Sequence, residues 1–320
     1  MGSGFAAATA GSVAGVVGLT GSRVLDGPVP DPADRLAAWT PASDEFPAPN
    51  TPAPSRITYA DLHRLRRVES AVDGRLRAVP HRWLTRLSRV TGVDVKAAAT
   101  YIRTVGHGIV QVHRRDHDPE RLGETLETIR YEYEGEIGEF DVYAQARVDN
   151  SRELRTIPHL DDAIAVDGDR VVTCGKPGLD DPVSPLGAAV RARLGGSRLV
   201  ERDDAMRRLV SGVDDADLLT VAPVVSEWVE DGPRGLAGLR AFGRAVSFGE
   251  TGTEVRTVLL YEPGAVPPVS AIRSLFLDHG AGWQVGVGPA ERVRVDAGTN
   301  RAVVTARAPV TAFTEGSGQP

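Results

Sequence analysis

The chain has 320 residues, 41% of them hydrophobic and 25% charged, and a formal net charge of −6. This length and composition suit a globular protein of one large or two small domains. The mild acidic excess disfavours nucleic acid as a partner, because a surface that binds phosphate backbones needs a basic excess.

The first 22 residues are the most distinctive segment of the chain. Between Met1 and Arg23 the sequence GSGFAAATAGSVAGVVGLTGS contains no charged residue. A surface helix needs a polar face, whereas an apolar helix of about 20 residues can span the hydrocarbon core of a bilayer. Residues 1–25 are therefore predicted to be an export signal or a membrane anchor.

The composition of this segment distinguishes between the export routes. Phe5 to Leu19 has the length of a signal-peptide core, but no Lys or Arg precedes it and no A-x-A cleavage site follows. Its Gly, Ser and Thr content makes it less hydrophobic than a permanent anchor. That composition is similar to the apolar core of twin-arginine export signals. The Arg-Arg pair that defines such signals is absent, and a translation start upstream of Met1 would supply it. A packed or disordered N-terminus is the alternative.

Residues 26–56 are predicted to be a tether. Eight prolines fall between Asp26 and Ser55, and proline blocks regular helices and sheets. Trp39 and Phe46 are the side chains most suited to dock this segment locally.

The folded body is predicted to begin near Ile57 and to form α+β domains at residues 57–231 and 232–313, before a disordered tail at 314–320. Apolar residues at helical spacing predict two helices between His63 and Gly92, separated at Pro80. Asp118 and Pro119 are a typical helix start. The other elements expected in the first domain are a strand at 108–113, a helix from 119 to about 130, a strand at 138–147, a hairpin of 163–166 and 170–174, helices at 185–194 and 205–210, and a strand at 218–221.

The second predicted domain has a similar order of elements. Its expected elements are strands at 239–248 and 255–261, a helix at 269–279, and strands at 283–287, 292–295 and 302–306. Because both halves contain strands, a helix and a hairpin, the sequence predicts an α+β fold of two ferredoxin-like or related α/β-sandwich units. A distant duplication would explain the two halves, although no residue repeat aligns between them.

Three histidines are the candidate metal ligands. His107 and His113 are six residues apart on a predicted strand, so they share a face, and His117 follows nearby. Together with Asp116 they could bind a divalent metal ion. The alternative is a strand that leaves the core for a charged loop, since the spacing matches no zinc signature and two neighbouring arginines would repel a cation.

Other candidate groups have structural interpretations. The alternating run Tyr131–Glu136 is typical of an edge strand protected by charge. Cys174 is the single cysteine, which excludes an intramolecular disulfide, and it is expected to be a small buried residue rather than a reactive thiol. Paired aspartates such as Asp161-Asp162 and Asp203-Asp204 are expected to serve helix starts and solubility. Since the sequence has no nucleophile elbow and no phosphate-binding loop, no catalytic residue and no cofactor are predicted.

The order of these features carries a family resemblance. An export-like start and a Pro/Asp tether are followed by Asp118-Pro119-Glu120 at a helix start and by Ala163-Ile164-Ala165-Val166 before an Asp-Gly-Asp hairpin. In this order the chain resembles uncharacterised haloarchaeal envelope or secreted α+β proteins with a twin-arginine-like export segment. The resemblance implies a location in the cell envelope or outside the cell, and it carries no known activity.

These observations favour an exported or membrane-anchored protein that is not catalytic and binds a protein or small-molecule partner outside the cytoplasm. The alternative is an extracytoplasmic metal-dependent enzyme that uses His107, His113 and His117. The sequence does not indicate an oligomeric state.

Overall fold

The computed structural model describes residues 36, 39–40, 56–91, 98–105, 109–114, 118–145, 161–175, 183–196, 198, 203–211, 213, 216–223, 237–249, 252–278 and 290–314. Residues Asp31–Pro320 form one compact unit, and Met1–Pro30 separates as another, which lies outside the described residues. The predictions for the N-terminal segment, for Phe46, for a strand at 283–287 and for the C-terminal tail 315–320 also fall outside them.

The described elements are twelve strands, six helices and one short 3-10 helix. In chain order they are β1 (Arg56–Asp61), α1 (Leu62–Val72), α2 (His81–Thr91), β2 (Thr100–Val105), β3 (Ile109–Arg114), α3 (Pro119–Thr128), β4 (Tyr131–Ile137), β5 (Phe140–Gln145), β6 (Ala163–Val166), β7 (Arg170–Gly175), α4 (Val183–Arg193), α5 (Asp204–Val210), β8 (Leu218–Pro223), β9 (Leu239–Gly249), β10 (Gly252–Tyr261), α6 (Val269–Asp278), β11 (Glu291–Gly298), β12 (Arg301–Ala308) and the 3-10 helix Val310–Phe313.

All twelve strands belong to one antiparallel sheet. Their order across the sheet is β11-β12-β10-β9-β8-β1-β2-β3-β7-β6-β5-β4. The predicted α+β class is confirmed, and the helices pack on both faces of the sheet as layers of an α/β sandwich. β8 pairs with β9 from Leu218↔Val246 to Pro223↔Ala241, so strands from both predicted halves lie side by side.

The helices begin where local sequence dictates. Asp61, Asp118 and Asp203 precede α1, α3 and α5, and each carboxylate accepts a hydrogen bond from a backbone N–H of the first turn. Pro119 occupies the first turn of α3, where its missing N–H costs nothing. The predicted break at Pro80 is also confirmed, because α1 ends at Val72 and α2 starts at His81.

We define face 1 of the sheet as the face covered by α4 and α5. Among the described side chains, one apolar cluster on this face extends from β5 to β10. The buried side chains include Phe140 on β5, Val172 on β7, Ile57 on β1, Leu219 on β8 and Val258 on β10. Leu36 and Trp39 pack into the same cluster, and the Trp39 ring meets Phe140 edge to face with centroids 6.1 Å apart. The expected docking of Trp39 is therefore confirmed.

Face 2 is covered by α1, α2, α3 and α6, and its core divides into three separate clusters. The cluster under α6 includes Phe242, Leu259 and Ile272. The cluster under α1 and the start of α2 includes Leu65, Val246 and Val255. The cluster under α3 and the end of α2 includes Leu87, Leu126 and Tyr143. Apolar packing on this face is interrupted, and polar side chains occupy the interruption.

Candidate functional site

Polar residues form a straight row across five neighbouring strands of face 2. Arg103 of β2 pairs with Thr58 of β1, which pairs with Thr220 of β8. Thr220 pairs with Arg244 of β9, which pairs with Thr257 of β10. Directly opposed residues in an antiparallel sheet share a face, so these five side chains form one continuous feature. We call it the polar row.

The polar row separates two of the apolar clusters. On one side, the nearest residues of the same face, two positions along β1, β8 and β9, are Ala60, Leu218 and Val246 of the cluster under α1. On the other side they are Ala222, Phe242 and Leu259 of the cluster under α6. Since strands in a sheet lie about 4.8 Å apart, the row is about 19 Å long. It is therefore a polar strip with apolar borders.

Exposure is greatest at the β2 end of the row and least at the β10 end, and the half-buried Arg244 lies between two buried threonines. Arg103 is exposed and Thr58 is half-buried. Thr220 is buried, Arg244 is half-buried, and Thr257 has no accessible surface. The end at β2 and β1 is thus reachable from solvent, whereas the end at β10 is enclosed.

Positive charge is concentrated at this row. Arg56 lies two residues from Thr58 on β1 and therefore faces the same side as the row. Burial and, to a smaller extent, the positive charge of Arg56 lower the pKa of Arg244 to about 10. Both effects disfavour the charged form. The charge of Arg56 therefore acts on the guanidinium of Arg244 in a partly desolvated place.

Arg103 has a phenol beside it. Burial raises the pKa of Tyr101 to about 12, and the guanidinium of Arg103, which hydrogen-bonds this phenol, acts in the opposite direction. The interaction holds Arg103 against the sheet at the open end of the row.

The enclosed end carries a hydroxyl group. Within the part of the chain that the structure describes, the buried hydroxyl of Thr257 on β10 has no hydrogen-bond partner. A buried polar group without a partner costs free energy, and such groups mark places where a ligand or water completes the bonding.

A buried aspartate just before β8 fixes α1 to the sheet. Asp217 accepts hydrogen bonds from the backbone N–H of Phe248 at 2.7 Å and from Nη1 of Arg64 at 2.6 Å. Burial raises the pKa of Asp217, while these hydrogen bonds and the Arg64 charge act against the rise. Its role is to position the helix that borders the row.

Asp161 similarly fixes α2 to the sheet. Its Oδ2 accepts hydrogen bonds from Nε1 of Trp83 at 3.1 Å and from the hydroxyl of Thr173. The hydroxyl of Tyr131 donates to its backbone carbonyl at 2.6 Å. Desolvation raises the pKa of Asp161, which these side-chain hydrogen bonds partly offset. The expectation that Asp161 serves only solubility or a helix start is wrong, because the carboxylate ties α2 to β7.

The predicted histidine cluster is not tested by the structure. His113 lies in β3, where its backbone pairs with Tyr101 and Val171, and its side chain is outside the description. His107 and His117 also fall outside the described residues. Among the side chains that are described, no group of three or more His, Cys, Asp or Glu could hold a metal ion.

Three other site predictions can be compared with the structure. Tyr131–Ile137 is the terminal strand β4, so the edge-strand interpretation is confirmed. Cys174 is fully buried on face 1, as expected for a small core residue. Asp203 caps α5, which confirms the helix-start role of that pair.

Sequence reasoning missed the polar row itself. Arg103 and Arg244 are 141 positions apart in the chain, and β1 and β2 were not predicted. The available signal was the alternation of polar and apolar residues in RITYAD and TYIRTV, which is typical of strands.

Comparisons with known proteins assign the chain to no family. No protein-family model and no curated protein matches the chain. Among solved structures, crystal form I of TP0453 is similar with a TM-score of 0.46 and 7% identity, over 87% of this chain and 94% of that chain. Crystal form III of TP0453 has a TM-score of 0.44 at 7% identity with the same coverage.

In the part of the chain that the structure describes, none of the helices has both the length and the apolar character needed to cross a membrane.

Proposed function

We propose that this protein is exported from the cytoplasm or anchored in a membrane, and that it binds a small ligand there without catalysing a reaction. The observation that supports ligand binding is the polar row, in which Arg103 and Arg244 lie on one face with three threonines. The observation that supports the location is the uncharged run from Gly2 to Ser22.

The chemistry of the row suits binding rather than catalysis. A guanidinium group stays protonated at neutral pH even when burial lowers its pKa to about 10, as at Arg244. Such a group donates hydrogen bonds and attracts anions, but it is a poor general acid or base. Threonine hydroxyls add donors and acceptors that orient a ligand.

Membership of a haloarchaeal envelope group, suggested by the order of features in the sequence, is part of the same proposal. Such a protein would meet its ligand at the outer side of the cytoplasmic membrane or beyond it.

Cell fractionation tests the location. The full chain and a variant lacking residues 2–22 would be expressed in the same host and followed by immunoblot in cytosolic, membrane and secreted fractions. We expect the full chain in the membrane or secreted fraction and the shortened variant in the cytosol. Full-length protein in the cytosol, with the same distribution for both, would overturn the proposed location.

Elemental analysis tests the proposal that the protein is not a metal-dependent enzyme. Stoichiometric bound metal in the purified protein, removed by His113→Ala, would favour the metal-dependent alternative with His107, His113 and His117.

A further inference from the structure

We infer that the ligand of the polar row carries a phosphate group, held between Arg56, Arg103 and Arg244 above Thr58 and Thr220. This inference rests on the proposed ligand-binding function and names the chemical class of the ligand.

The positions of the three arginines support a shared ligand. Arg103 and Arg244 are three strands apart in register, which corresponds to about 14 Å between their backbones. Arg56 is two residues along β1 from Thr58, about 7 Å to one side of the line that joins them. Arginine side chains are long, so three at this spacing can converge on one group over the threonines.

The electrostatics of the row favour a dianion. The burial of Arg244 and, to a smaller extent, the charge of Arg56 disfavour protonated Arg244, so placing the two charges together costs free energy in the folded protein. A phosphate monoester carries up to two negative charges and would offset both guanidinium groups at once. A single carboxylate would offset one.

The number of hydrogen-bond donors also favours phosphate. Each guanidinium can donate two parallel hydrogen bonds to a phosphate or carboxylate group. The row adds the hydroxyls of Thr58 and Thr220, and beyond Arg244 the buried hydroxyl of Thr257, which lacks a partner among the described residues. Three or more phosphate oxygens can accept from this set, whereas a carboxylate offers two oxygens.

The phosphate group could belong to a soluble phosphate ester or to the headgroup of an acidic phospholipid. The chemistry that the row recognises is the same in both cases. The exposed end of the row at Arg103 would admit either.

Calorimetric titration of the full-length protein with inorganic phosphate is the first test. Wild type would be compared with Arg244→Gln, Arg103→Gln and the control Arg256→Gln. Arg256 is exposed on β10, next in sequence to Thr257 and on the opposite face, so its loss changes the net charge equally without touching the row. We expect at least tenfold weaker binding for Arg244→Gln and Arg103→Gln, and a change of less than twofold for the control.

Vesicle sedimentation is the second test and distinguishes the two sources. The same four proteins would be mixed with phosphatidylcholine vesicles that contain or lack phosphatidic acid. If the phosphate is a lipid headgroup, binding should increase with phosphatidic acid in wild type and control, and the increase should be lost in the two row variants. Binding of free phosphate alone would assign a soluble ester.

Arg244→Gln also has a readout that nonspecific attraction would not produce. Without phosphate, this variant should have a higher melting temperature than wild type, because it removes a desolvated charge near Arg56. With saturating phosphate, the wild type should gain more in melting temperature than the variant. If Arg244→Gln does not fold, the exposed Arg103→Gln decides the test.

Two results would overturn the inference. The first is the absence of binding to both phosphate and phosphatidic acid. The second is phosphate binding that falls equally in the control and in the row variants. Binding of citrate, with phosphate ineffective and with loss in Arg244→Gln, would overturn the phosphate class while leaving ligand binding at the row intact.

Discussion

Face 1 of the sheet holds one apolar cluster that extends from β5 to β10 among the described side chains, whereas face 2 holds three apolar clusters and a row of polar side chains between two of them. Both faces belong to the same strands, so adjacent residues of one strand meet opposite environments. Leu219 and Thr220 on β8 are such a pair, and Val258 and Thr257 on β10 are another.

Under the proposed function, face 1 contributes to stability and face 2 binds the ligand. A continuous apolar face under α4 and α5 contributes to folding through burial alone. Face 2 retains arginines and, among the described residues, buried hydroxyls without a hydrogen-bond partner, which an optimised core would replace with apolar groups. Such a cost is usual where a surface has been kept for a ligand. Four predictions test this contrast, beginning with the largest expected effect.

Leu219→Ala should be the most damaging of these changes. Leu219 is completely buried on face 1, so the substitution leaves a cavity in the continuous core. We expect the free energy of unfolding to fall by about 3 kcal/mol, within the usual range of about 2–5 kcal/mol for such truncations. Urea denaturation followed by circular dichroism measures it. Thr220→Ser, one residue along on face 2, removes a single methyl and should cost about 1 kcal/mol; equal losses at the two positions would contradict the contrast.

Gly123→Ala should destabilise a helix of face 2. A Cβ atom at Gly123 of α3 would lie 2.2 Å from the hydroxyl and 3.1 Å from Cζ of Tyr143, whose ring is packed in the cluster below. We expect a loss of about 1–3 kcal/mol from overpacking, measured by thermal denaturation.

The matched control for this change is Gly187→Ala in α4 on face 1. There the nearest atoms, at 3.1 Å, are the ends of the Arg191 and Ile137 side chains, which can move. The helix propensity of alanine, about 1 kcal/mol better than glycine, should bring this variant close to neutral. A larger loss at Gly187 than at Gly123 would contradict the packing described for α3.

Asp161→Asn should change how stability depends on pH. Because burial raises the pKa of Asp161 above its ordinary 3.8, the folded protein binds this proton more tightly than the unfolded chain. The resulting stability is present below pH 3.8 and is lost as the pH rises through the folded pKa. Over this pH interval the free energy of unfolding should therefore fall less in Asp161→Asn than in wild type. The two slopes should differ by at most about 1.4 kcal/mol per pH unit, the limit for one proton.

Urea denaturation at a series of pH values measures this slope. Asp217 and Asp167 also have pKa values raised by burial, so the slope should become smaller without disappearing. Glu132→Gln on the exposed edge strand β4 is the control and should leave the slope unchanged. An identical slope in Asp161→Asn and wild type would show that the carboxylate does not contribute.

Thr257→Val should have the smallest effect and the opposite sign. The buried Thr257 hydroxyl has no partner among the described residues, and valine has nearly the same shape. We expect the unfolding free energy to rise by about 0.5–1 kcal/mol. Differential scanning calorimetry without added phosphate measures it, and Val258→Ala on face 1 should show a clear loss in the same assay. A loss of stability in Thr257→Val would mean that its hydroxyl is bonded in the folded protein.

Most helices could be predicted from local sequence because their signals lie within a few residues. Asp118 with Pro119 marked the start of α3, and Pro80 marked the separation of α1 from α2. The hairpin of β6 and β7 was equally local, since Asp167 accepts hydrogen bonds from the backbone N–H groups of Asp169 and Arg170 within its own turn.

The candidate site could not be predicted in this way. Arg103, Thr58, Thr220, Arg244 and Thr257 come from five strands, and no local pattern joins them. The role of Asp161 escaped prediction for the same reason, because Trp83 lies 78 positions before it in the chain.

The sequence by itself determined the α+β class, the helix starts, the charged edge strand and the uncharged N-terminal run, because each depends on residues that are neighbours in the chain. Only the tertiary structure decided that strands from both halves form one sheet and that arginines of β1, β2 and β9 share a face. The physical reason is that strand order and register are set by side-chain burial across the whole sheet, and a shift of one residue in any strand would move its polar side chain to the other face.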